Sequence, residues 1–235
     1  MADMSVSDLQ FFDPHADHTL VWKKLPHLAQ AGTLCFITWR TADSLPKAAI
    51  ERLAHEREVL LRQYGLDPKG NWKASLAELK PEFRAAVHWS LFSAWDHELD
   101  NASGACVLRR QDLAKIVMDS LLHFDRDRYV LTDAVIMPNH VHMIAAFRDE
   151  EALLSQGTSW KHYTGTQINR RLWRENNSAE GAAGLREKTD FWQRDQFDHL
   201  IRSEADFGRC RQYIAANPAA ARLKTGASLH YSMPL

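Results

Sequence analysis

Three cysteines, Cys35, Cys106 and Cys210, are all that 235 residues contain, and no C-x-x-C pair occurs. A scattered, odd set excludes a disulfide framework and a thiolate zinc site, and fits a reducing cytoplasm. No apolar run approaches the roughly 20 residues that a membrane helix needs, so no membrane partner is expected. The opening Met1-Ala2-Asp3-Met4-Ser5 lacks the basic stretch and apolar core of a signal peptide. Internal repeats and low-complexity tracts are absent. Excess charge is absent too: the net value is −1, which argues against a protein that coats nucleic acid without selectivity.

The apolar content of 45% is that of an ordinary globular chain, long enough for one domain with elaborations. Charge is unevenly spread. Residues 155–225 hold 12 Lys and Arg against 8 Asp and Glu, leaving the remainder acidic. Within that region Lys161, Arg170, Arg171 and Arg174 follow one another with no intervening acid. A local basic surface or a solvated helix face both account for this run.

The chain is organised around residues 129–147, which read Y-V-L-T-D-A-V-I-M-P-N-H-V-H-M-I-A-A-F. Two β-forming runs flank Met137-Pro138-Asn139, a break that suits a turn between paired strands. His140 and His142 open the second run. Side chains on a strand alternate faces, so both imidazoles project from one side while Val141 and Met143 face the other. Two imidazoles on one rigid face make a platform for a divalent metal. A bare H-x-H also suits two satisfied histidines; their place at the head of an apolar strand favours a role.

The remaining elements follow from local pattern. Residues 1–32 show little periodicity and read as an extended leader. Leu34-Cys35-Phe36-Ile37-Thr38-Trp39-Arg40 is the first core strand. Ser44 is the expected cap of a helix whose stripe is Ile50, Leu53, Leu60, Leu61 and Tyr64, ending at Gly65. Residues 67–108 change character, with Trp72, Trp89, Phe92 and Trp95 among charges, and read as a helical insertion. Its His88, Asp96, His97 and Glu98 fit the polar faces of small helices better than a metal site. A helix is expected over residues 111–124 and another over 150–174, broken near Gly157. A loop over 176–189 leads to an aromatic edge strand within 191–201. The final helix starts at Ser203, in a capping-box-like S-E-A-D, and stops at Pro218. This order predicts an α+β domain with a mainly antiparallel sheet, helices on one face and a helical insertion.

Pro138-Asn139-His140-Val141-His142 resembles the HUH motif of single-tyrosine transposases, and most closely that of the REP-associated tyrosine transposases. Gln212-Tyr213-Ile214-Ala215-Ala216-Asn217-Pro218 resembles the family's second motif, Y-I-x-x-N-P. The resemblance implies a ferredoxin-like sheet. It also implies that Tyr213 is the nucleophile and that His140, His142 and Asn217 hold Mg²⁺ or Mn²⁺. Residues four apart share a helix face, so Tyr213 and Asn217 can address one point. Tyr163 and Gln167 have the same spacing on the basic helix, a rival pair that lacks the I-x-x-N-P context.

The implied activity is cutting and joining of single-stranded or hairpin DNA through a 5′-phosphotyrosine. Arg209, Trp160, Lys161, Arg170 and Arg171 are candidate DNA contacts, by phosphate pairing or base stacking. A DNA-binding regulator descended from such an enzyme, and an unrelated HxH metallohydrolase, remain as alternatives. Monomer and homodimer are both open.

Overall fold

In the computed structural model, residues 8–17, 19–22, 26–101, 103–176 and 190–234 are described. The expected loop over 176–189 and the first residues of the leader lie largely outside them. The chain divides into two compact units: Asp43–Ala105, and the segments before and after it.

The larger unit is built on a five-stranded sheet. Its strands are β3 (Leu34–Arg40), β4 (Tyr129–Ile136), β5 (His140–Phe147), β6 (Phe197–Leu200) and β7 (Leu229–Ser232), in spatial order β6-β3-β5-β4-β7. Every neighbouring pair is antiparallel. With α4 (Gln111–His123) before β4 and α5 (Glu150–Asn176) after β5, the run from β3 to β6 is a split βαβ pair, the ferredoxin-like arrangement. The α+β antiparallel expectation therefore holds.

All eight residues of β4 and all eight of β5 are buried, as in a sheet covered on both faces. On one face Ile37, Trp39, Val141, Met143 and Ala145 pack with Leu113, Val117 and Leu121 of α4 and Trp160 and Ile168 of α5. The opposite face meets α6 (Glu204–Ala220): Tyr213 lies against Phe36 and His142. Helices thus lie on one face as far as the two crossover helices go. The last helix closes the other, because β5 is apolar on both sides once its two histidines are passed.

Several boundaries differ from expectation. The cap of α1 (Lys47–Gln63) is Pro46 rather than Ser44, and Ile50 is exposed rather than part of its buried stripe. α5 continues through Gly157, where the lost side chain lets Gln196 approach closely. α6 runs two residues past Pro218, since a proline in the last turn forfeits a single backbone bond. The leader contains a hairpin of β1 (Thr19–Trp22) and β2 (Pro26–Ala29), and β7 was not foreseen at all.

The smaller unit begins at Asp43, well before residue 67, and so takes in α1 together with α2 (Trp72–Glu78) and α3 (Pro81–Asp100). Leu45, Ala49 and Leu53 bury against Leu99, while Leu61 and Leu66 bury against Leu76 and Val87. α1 is therefore a helix of this unit. Among the described residues no helix is long and apolar enough to cross a membrane.

Candidate metal and nucleophile site

The turn between β4 and β5 sets the histidines. Met137 N–H donates to His140 C=O, and Asn139 C=O accepts from Thr41 N–H, which ties the turn to the end of β3. His140, His142 and Asn139 are fully buried. The imidazole centroids are 4.6 Å apart at 73°, and a ring nitrogen of each lies within 4.8 Å of the other's.

Each ring is oriented by a neighbour. Nδ1 of His140 is 2.8 Å from Asn139 Oδ1, and Nδ1 of His142 is 2.7 Å from Thr38 Oγ1 on the paired strand. The Asn139 oxygen is an acceptor only, so His140 Nδ1 carries the proton and Nε2 presents its lone pair. Burial first, and then the adjacent His142, push the His140 pKa well below its ordinary value, which keeps the ring neutral.

α6 brings the remaining parts. Phe207, Cys210, Ile214 and Asn217 form its buried stripe, with Tyr213 half-buried beside them. The Tyr213 ring stands edge-on to His142, centroids 5.4 Å apart. Asn217 acts on His140 from close by, favouring its charged form, although no hydrogen bond joins them. His140 Nε2 and Asn217 Oδ1 are both buried atoms with no hydrogen-bond partner. Buried polar atoms without a partner are costly, and a cation held by both would satisfy them. Imidazole nitrogen and amide oxygen are ligands suited to Mg²⁺ or Mn²⁺, so the donor set fits a divalent ion.

A β-bulge at Thr132 shifts the β4 register between Leu131 and Asp133. It turns Asp133, 2% exposed, toward α6, where its carboxylate receives Arg211 Nε at 2.9 and 3.1 Å. The same guanidinium donates to Ser232 Oγ and Met233 C=O. This clasp fixes the rotation of α6 two residues before Tyr213. Sequence reading missed it: Asp133 appeared among apolar strand residues, and that lone acid was its only signal. Thr38 was likewise invisible until β3 was paired with β5.

The candidate DNA contacts fall in several places. Arg209 is exposed and paired with Asp206 at 3.0 Å. Trp160 is a correction: at 2% exposure it stacks on Trp39 in the core, so its faces are not open to a base. Lys161 Nζ donates to Arg194 C=O. Arg171 pairs with Asp112 and Glu175, and exposed Arg170 borders the same groove, about 670 Å³, between α4 and α5. Tyr163, 53% exposed, and Gln167 line that groove too, with the sheet between them and the histidine pair. In the smaller unit His88, Asp96, His97 and Glu98 lie along α3, where Glu98 pairs with Arg52 at 2.8 Å.

No protein-family model matches the chain, and no curated protein matches it. Among solved structures it is similar to a REP-associated tyrosine transposase bound to a REP hairpin, with 14% identity and a TM-score of 0.40. That match covers 82% of this chain and 70% of the other.

Proposed function

We propose that this chain is a divalent-metal-dependent enzyme that nicks and rejoins single-stranded DNA, with Tyr213 as nucleophile. The observation that carries the reading is the contact of Tyr213 with His142, in a site where His140 Nε2 and Asn217 Oδ1 are buried without hydrogen-bond partners. A nucleophile that forms covalent esters next to a site for a divalent ion is the constellation expected of phosphoryl transfer.

His140, His142 and Asn217 would hold Mg²⁺ or Mn²⁺, which when bound supplies positive charge to polarise a scissile phosphate. The residues themselves do the rest. Asn139 and Thr38 lock the imidazoles, so the ligand nitrogens need no reorganisation. Phe36 and His142 pack against the Tyr213 ring and direct the phenol. The phenol oxygen attacks phosphorus and loses its proton to solvent. The bond to the 3′ oxygen breaks, and that oxygen takes up a proton to become a free 3′-OH. A 5′-phosphotyrosine remains on Tyr213. One phosphoester has replaced another, so a 3′-OH can reverse the step with no added energy source.

The test uses a randomised single-stranded hairpin DNA library, labelled at either end, with Mn²⁺, Mg²⁺ or EDTA. An SDS-resistant adduct should retain the 3′ label, release the 5′ label and vanish in EDTA. Binding of the library with no adduct in either metal would instead identify a DNA-binding regulator.

A further inference from the structure

The last residue of β3 has no part in the chemistry above. Arg40 is the cross-strand partner of His140, and Thr38, two residues earlier, is the partner of His142. Partners in an antiparallel pair project from one face of the sheet, and Thr38 demonstrates it by bonding the His142 ring. The Arg40 side chain therefore leaves the sheet on the face that carries the histidines, next to His140. Its backbone is fixed on both sides: Arg40 C=O accepts from Gln193 N–H, and Thr41 N–H donates to Asn139 C=O. Resting on the functional reading above, we propose that Arg40 contacts the DNA phosphate that Tyr213 attacks, supplying a second, fixed positive charge for the oxygens of that phosphate.

The chemistry suits the position. A guanidinium presents a planar fork of donors that matches two phosphate oxygens, and it stays charged when partly withdrawn from water. Arg40 is half-buried, and burial pulls it down only to about 10, so it is a cation at neutral pH. The face is shared by Tyr213, whereas Arg170 and Arg171 border a groove on the opposite face. Arg209, the alternative on α6, is largely exposed to solvent.

The experiment reads binding and chemistry separately in the full chain. Affinity for a fluorescein-labelled single-stranded hairpin library is measured in EDTA over a range of salt. Losing one phosphate contact should reduce the slope of log affinity against log salt by about 0.7 in Arg40→Gln. With Mn²⁺ and saturating DNA, Arg40→Gln should form adduct about 100-fold more slowly than wild type. Arg40→Lys should keep the wild-type salt slope and lose about tenfold in rate, because charge remains and the fork does not. If Arg40→Gln fails to fold, the Lys variant decides: a wild-type rate there overturns the proposal. An unchanged slope in a folded Arg40→Gln overturns it too. These outcomes concern Arg40 alone, since a wild-type protein that forms no adduct would already have sunk the nuclease reading.

Discussion

Tyr213 and His142 meet edge to face, their ring centroids 5.4 Å apart and their planes at 78°. Phe36 completes the contact: it stacks on His142 at 5.6 Å and takes the edge of Tyr213 at 5.8 Å. Three rings from two adjacent strands and one helix thus define a single place for the phenol. Such pairs contribute about 0.5–1.5 kcal/mol each beyond the area they bury. The contact places a tyrosine beside the H-x-H pair.

Removing the hydroxyl while keeping the ring separates packing from chemistry. Tyr213→Phe should alter Tm by no more than a degree or two, because all three ring contacts survive. Adduct formation should fall below detection while affinity for the hairpin library stays within about threefold, since phosphate and stacking contacts do not need that oxygen. Tyr163→Phe, across the sheet, should form adduct at the wild-type rate. The reverse pattern would move the nucleophile to α5.

The unpartnered buried atoms of His140 and Asn217 predict metal-linked stability. Mn²⁺ at about 100 times its dissociation constant should add about 2.7 kcal/mol to unfolding, seen as a rise in Tm that EDTA reverses. His140→Gln and Asn217→Ala should lose most of that rise, and Asn217→Asp should keep it. A Tm indifferent to Mn²⁺ in the wild-type protein would count against the site.

Much of this site was legible because strand and helix periods act over short spans. His140 and His142 had to share a face, and Tyr213 and Asn217 had to share another, whatever the rest of the chain did. What could not be read were contacts set by strand pairing. Thr38 lies 104 residues from His142, and only the β3–β5 register brings them together. Trp160 misled for a related reason. Amid lysine and arginine it looks like a surface aromatic, yet the helix turns it inward by one position relative to Lys161. The start of the insertion was missed because α1 has an ordinary amphipathic pattern, which does not say whether a sheet or another helix covers it.

Trp160 should accordingly behave as a core residue. Trp160→Ala removes the stack on Trp39 and the hydrogen bond to Tyr129 Oη, at a cost of about 3–5 kcal/mol in urea unfolding. Trp160→Phe should keep most of the packing and bind the hairpin library with unchanged affinity. A clear loss of affinity in the folded Phe variant would return this ring to the DNA surface.

The clasp between Arg211 and Asp133 should matter more to the fold than its single ion pair suggests. Arg211→Met leaves Asp133, 2% exposed, with its carboxylate buried and without its cation. Breaking such a pair on one side costs about 3–5 kcal/mol. Because α6 then loses its rotational anchor, the adduct rate should fall at saturating DNA while Mn²⁺ still raises Tm. A variant with wild-type stability would show that the bulge at Thr132 holds α6 by other means.

The start of α6 predicts how stability responds to acid. Ser203 Oγ accepts from Asp206 N–H, and the Asp206 carboxylate reaches back to Arg202 N–H at 3.0 Å and to His199 Nε2 at 3.2 Å. Burial works to raise this carboxyl. The bonds from His199 and Arg202, with the charge of Arg209, overcome it and hold the pKa at about 2 against an ordinary 3.8. A value depressed in the folded state means that the unfolded chain takes up the proton first. The stabilisation is therefore complete above pH 3.8 and disappears as pH falls from there toward 2. Asp206→Asn should be less stable than wild type by about 1 kcal/mol at pH 7, from the weakened cap. That gap should narrow below pH 3.8 and nearly close by pH 2, as followed by urea midpoints at each pH. A gap of constant size across this range would mean that Asp206 acts at the helix start through shape alone, with its charge contributing nothing.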